Sequence, residues 1–102
     1  MGNYMLAYTG GSMAETPEGQ EAVMKAWGDW FATLGSSVVD GGAPFAASTA
    51  VLADGSSGAT STGLSGYSVV QADTLELAAK LAGGCPILEA GGRVEVFETI
   101  AM

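Results

Sequence analysis

Asp40 is the side chain best placed by its neighbours to do chemistry. It follows the apolar pair Val38-Val39 and precedes Gly41-Gly42-Ala43-Pro44-Phe45. A carboxylate where a strand meets two glycines can serve as a base or an anchor, because glycine lets the backbone approach a ligand closely. The plainer alternative is a turn-former that bonds the backbone of the residues after it. Arg93 is one of only three bases in the chain. Its planar fork suits an anionic ligand, and its ordinary alternative is an ion pair with Glu95, Glu98 or a partner acid. Arg93, Glu95 and Phe97 share one face of a strand by simple alternation, and a face mixing charge with an aromatic suits a cleft or a wet interface. Tyr8, Phe45 and Phe97 can line a pocket with Asp40, or instead fill an interface between copies.

Other reactive residue types carry less. Cys85 stands just past a helix end, where the dipole is negative; that raises a thiol's pKa and disfavours thiolate chemistry. It reads as a buried, inert thiol. No metal set is expected, because histidine is missing and the acids lack ligand spacing. No cofactor is expected either: Gly10-Gly11 and Gly91-Gly92 match no phosphate-binding loop.

The elements that must position these residues follow from periodicity. Asn3 to Thr9 alternates Tyr4, Leu6 and Tyr8 against Met5 and Ala7, a strand apolar on both faces. Thr16-Pro17 is a helix start, and Val23, Trp27, Trp30, Phe31 and Leu34 form an apolar stripe that ends at Gly35. Both tryptophans read as core anchors whose indole N–H groups need partners. Ser36 to Asp40 reads as a short strand broken by Gly41, Gly42 and Pro44. Residues 47–63 form a hairpin insertion turning at Asp54-Gly55. Leu64 to Gln71 is a strong strand, Asp73 to Glu76 a capping box for a second helix ending at Gly83-Gly84, and Arg93 to Ala101 the last strand, with Val94, Val96 and Ile100 on one face and Arg93, Glu95, Phe97 and Thr99 on the other.

Composition bounds the function. The chain has 102 residues, enough for one domain over 1–102 with a modest core. Eleven acids against three bases give a net charge of −8, which excludes a nucleic-acid footprint and an anionic membrane surface as partners. One cysteine makes no internal disulfide, and no run reaches the roughly twenty apolar residues of a membrane span. A soluble, cytoplasmic protein is expected.

The order strand, helix, strand, hairpin, strand, helix, strand predicts an α+β fold, the split βαβ sheet of ferredoxin-like domains with both helices on one face. The other face stays bare although the first strand is apolar on both sides. A second copy is expected to bury it, giving a homodimer and a dimeric α+β barrel.

Tyr4-Met5-Leu6 with Tyr8, Trp27 to Phe31, Asp40 to Phe45, Gly66-Tyr67-Ser68, Ala72-Asp73-Thr74, Gly83 to Pro86 and Gly92 to Val96 stand in an order and spacing that resembles the YCII-related, DGPF-type domain family, along essentially the whole chain. The resemblance implies the dimeric α+β barrel, a small organic ligand in a cleft, and a link to extracytoplasmic-function sigma factors. It implies for some members a histidine–aspartate pair and lyase-like or dehalogenating chemistry. Only Asp40 has a counterpart here, since the chain has no histidine. The expected function is therefore a small-molecule-binding or signalling accessory module with its cleft near Asp40 and Arg93. The alternatives are an enzyme with Asp40 as base and a protein-interaction module linked to a sigma factor.

Overall fold

The computed structural model describes residues 2–11 and 15–100. Strand β1 (Gly2–Thr9) leads into helix α1 (Pro17–Leu34), strand β2 (Val38–Pro44), a hairpin of β3 (Ala50–Val51) and β4 (Ser57–Gly58), strand β5 (Leu64–Ala72), helix α2 (Leu75–Ala82) and strand β6 (Arg93–Glu98). The four long strands form one sheet in the order β2-β5-β1-β6, every pair antiparallel. Thus β5 separates β1 from β2, and β1 separates β5 from β6, so each helix links two parallel strands that have a third between them. The fold is α+β.

Local signals account for most boundaries. The Thr16 hydroxyl accepts the Gly19 N–H at 3.0 Å, and Pro17 opens the first turn of α1. Gly35 stops the helix at φ +55°, a conformation that costs glycine nothing. At α2 the expected capping box is corrected. The cap is Thr74, whose hydroxyl accepts the Leu77 N–H at 3.2 Å, so Glu76 sits one position too early to reach back. The last strand also stops short, at Glu98. The Thr99 N–H and hydroxyl both bond the Asn3 carbonyl at 3.0 Å, which leaves Ile100 exposed rather than inside; Ala101 lies outside the described residues.

The core lies between the helices and one sheet face. It gathers Tyr4, Leu6 and Tyr8 from β1, Val70 and Ala72 from β5, Trp30 and Leu34 from α1, Ala78 and Ala82 from α2, and Cys85 and Ile87 from the following loop. The two helices seat differently. The alanines of α2 let its backbone come close to β5, β6 and β1, whereas the closest approaches of the α1 backbone are to β2 and the connecting turns. Between α1 and the sheet stand Trp27, Trp30 and Phe31, whose ring centroids are 5.1–6.0 Å apart. The Trp30 indole N–H donates to the Leu81 carbonyl at 3.1 Å and ties the two helices together. The expected stripe on α1 is buried only in its second half, at Trp30 and Leu34; Val23 is 44% exposed.

Among the described residues neither helix packs on the opposite sheet face. Met5, Tyr67, Val69 and Phe97 lie there in adjacent register, and Phe97 is 49% exposed. The molecule extends 44 × 40 × 18 Å along its principal axes.

The two candidate caps of α2 separate by mutation. Thr74→Ala should cost about 1 kcal/mol in urea unfolding, whereas Asp73→Ala should stay within about 0.5 kcal/mol of the parent.

Candidate functional site

The site is built around the unusual course of β2. Sequence reasoning ends this strand at Asp40, because two glycines and a proline follow. Instead the strand continues to Pro44 by inserting two bulges: Val38 faces Val70, Asp40 faces Val69, Ala43 faces Tyr67 and Pro44 faces Gly66. A bulge takes the extra residue out of the ladder, and Pro44 is tolerated because β2 is an edge strand. Gly42 is indispensable to this path. Its φ is +74°, and a Cβ there would lie 1.7 Å from the Tyr67 carbonyl oxygen. Gly41 beside it has open space.

Asp40 acts as a turn-former. One carboxylate oxygen accepts the Gly42 N–H at 2.8 Å and the other the Tyr67 hydroxyl at 3.2 Å. The neighbouring Asp40 charge pushes the Tyr67 phenol pKa up. Phe45 stacks on Tyr67 with centroids 6.0 Å apart. Arg93 and Glu95 form an exposed ion pair at 3.2 Å on the far edge strand. The six expected site residues therefore do not converge. Asp40 and Phe45 gather around Tyr67 at one edge. Arg93, Glu95 and Phe97 share the bare face along β6, two strands away. Tyr8 points to the opposite face, in the core.

The cavity lies on Tyr8's side. It measures about 430 Å³ and opens between the middle of α1 and the strands β2 and β5. Val23, Met24, Trp27 and Phe31 form the helix wall, Gly41 to Pro44 the strand wall, and Tyr8, Gly66 and Ser68 are part of the sheet lining. The space exists because large rings stand α1 off over strand positions occupied by glycine and serine. Trp27 is half-buried and lines it, with its ring edge-on to Tyr8 at 5.2 Å; only Trp30 is a core anchor.

Two polar features mark the lining: the Ser65 hydroxyl, which donates to the Tyr8 carbonyl at 3.2 Å, and a relay through Ser68. The Tyr8 hydroxyl donates to Ser68 Oγ at 2.7 Å, and Ser68 Oγ donates to the Gly41 carbonyl at 2.8 Å. Ser68 is fully buried. Sequence reasoning missed it, although a lone hydroxyl between Gly66 and Val70 on an inward face was the available signal. Burial pushes the Tyr8 phenol up to about 12. Burial, rather than the helix dipole alone, likewise pushes the Cys85 thiol up to about 11.

Among the described residues no cluster of three or more potential metal ligands occurs, and no helix is long and apolar enough to cross a membrane. Compared with protein-family models, curated proteins and solved structures, the chain gives no match.

Two predictions follow the geometry of this region. Gly42→Ala should destabilise the protein by at least about 3 kcal/mol, through clash and a disfavoured φ, whereas Gly41→Ala should change the urea midpoint little. The second concerns alkaline pH. Cys85 and Tyr8 favour their neutral forms in the fold, so the unfolded chain loses protons first. Their stabilisation is whole below the unfolded values of 9.0 and 10.0 and is lost as pH rises toward about 11 and about 12. Cys85→Ala should delay the onset of alkaline destabilisation by about one pH unit, from near 9 to near 10, in pH-dependent urea melts.

Proposed function

We propose that the protein is a small homodimeric module of the YCII-related, DGPF-type kind that binds a small organic molecule and performs no robust catalysis. The observation that carries the binding reading is the 430 Å³ cavity beneath α1, with its hydrogen-bonded Tyr8–Ser68–Gly41 lining. Its volume falls in the range of roughly 300–1,000 Å³ usual for small-molecule sites, and a mostly apolar lining with a few fixed polar groups is the usual make-up of such sites. The cleft adjoins the Asp40 turn, as the sequence suggested, but Arg93 takes no part in it, and one chain supplies all of its walls.

Asp40 as a catalytic base gains no support from the geometry. Both its oxygens are occupied within the chain, by Gly42 and Tyr67, and the one titratable side chain seen bonded to it, the Tyr67 phenol, is held more firmly in its neutral form by the Asp40 charge.

The dimer reading rests on the other side of the sheet. Strand order and crossovers are those of a ferredoxin-like domain, and Met5, Val69 and Phe97 leave a continuous apolar strip in water. Sheet-to-sheet packing of two copies would bury that strip and form the dimeric α+β barrel, leaving both cavities open on the outer, helical sides.

Sedimentation equilibrium should report twice the chain mass of 10.2 kDa, and Phe97→Glu should yield a folded single chain by placing a charge in the apolar interface. A single chain for the parent would remove the dimer. Independently, a metabolite library should raise the melting temperature with at least one member and quench tryptophan emission. A silent library would remove the ligand reading.

A further inference from the structure

The polarity of the Tyr8–Ser68–Gly41 relay is set from one end. The Gly41 carbonyl can only accept, so Ser68 Oγ must give its hydrogen there, at 2.8 Å. Ser68 then has only lone pairs for Tyr8, which gives its own hydrogen at 2.7 Å. Both hydroxyl hydrogens are committed inside the protein. Ser68 is fully buried, so what remains on the relay for a guest is the unused acceptor capacity of the Tyr8 phenol oxygen; the Ser65 hydroxyl hydrogen is likewise committed, to the Tyr8 carbonyl at 3.2 Å. Tyr8, Ser68 and Gly41 all line the cavity.

Charge in the surroundings is equally one-sided. None of the residues lining the cavity is charged. Lys25 is exposed and engaged by Asp29 at 2.9 Å, and Arg93 lies on the far edge strand, paired with Glu95. An anionic guest would therefore be desolvated with no cation in the lining to meet it, which is strongly unfavourable.

Resting on the small-molecule reading above, we infer that the cavity selects an uncharged, largely hydrocarbon molecule carrying one hydrogen-bond donor, of the phenol or alcohol class, whose hydroxyl hydrogen is accepted by the Tyr8–Ser68 relay. Molecules of the same shape that bring only acceptors, such as ethers, find no donor on the relay. Carboxylates and phosphates find no cation. The aromatic wall of Trp27, Phe31 and Tyr8 favours a ring as the hydrocarbon part, since ring–ring contact adds to plain apolar burial.

The test is displacement of the neutral fluorophore N-phenyl-1-naphthylamine from the intact protein by 4-propylphenol, 4-propylanisole and 4-propylbenzoate. The phenol should displace about tenfold better than the anisole, in keeping with one neutral hydrogen bond, and the benzoate should be the weakest. Tyr8→Phe should still bind the fluorophore while the phenol's advantage shrinks toward equality. Ser68→Ala frees the Tyr8 hydrogen to donate outward, so the anisole should gain on the phenol there. Benzoate matching the phenol, or a phenol–anisole ratio unmoved in both variants, would overturn the ligand class while leaving a ligand cleft in place. No uptake of the fluorophore by the parent, with no response to any of the three competitors in tryptophan emission, would overturn the cleft and the class together.

Discussion

The structure depends on how the sheet is covered. Its central strand β1 is apolar on both faces, yet the two helices reach only one of them. On that covered face the two helices meet the sheet with opposite kinds of side chain. The alanines of α2 allow close backbone approach, so this half of the layer is tight and holds Leu6, Val70 and Ala78 away from water. The rings of α1 do the reverse and hold its first half at a distance, because the positions beneath them are Gly66 and Ser68. A helix cannot tilt at one end and stay flush at the other without leaving space, and that space is the cavity.

The strand wall of the cavity has a separate physical origin. A regular strand from Val38 to Pro44 would alternate evenly against β5. Two bulges instead shift its register, and Gly42 passes so near the Tyr67 carbonyl that a side chain there has no room. This crossing brings the Gly41 carbonyl over Ser68 and gives the polar relay its fixed end. The Asp40 carboxylate holds the turn from the outside through Gly42 and Tyr67. Its chemistry is thus explained by structure, and the cavity gains a preformed wall rather than a reactive group.

Two different surfaces result, one on each side of the sheet. The cavity sits under a helix, with a mostly apolar lining and one oriented hydrogen-bond relay. The strip of Met5, Val69 and Phe97 on the other side is apolar, with Met5 and Val69 half-buried and Phe97 exposed. Because strand residues alternate, Tyr8 belongs to the first and its neighbour Ala7 to the second.

Much of the fold was legible in the order of residues. Thr16-Pro17 and Gly35 bound α1 because capping is settled by the groups within one turn, and the alternation of β1, β5 and β6 assigns each side chain to a face without reference to anything distant. The acidic balance and the missing histidine are likewise properties of composition. What the tertiary structure alone decided are the things that depend on distance between elements. Thr74 rather than Asp73 caps α2, Val23 lines a cavity while Trp27 both lines it and packs against the core, Arg93 and Asp40 sit on different edge strands, and Ser68 becomes the middle of a relay. None of these is encoded by periodicity. Each follows from where two backbones come to rest against one another, and that is set by the packing volume of rings on α1 and by the single glycine that lets β2 cross β5.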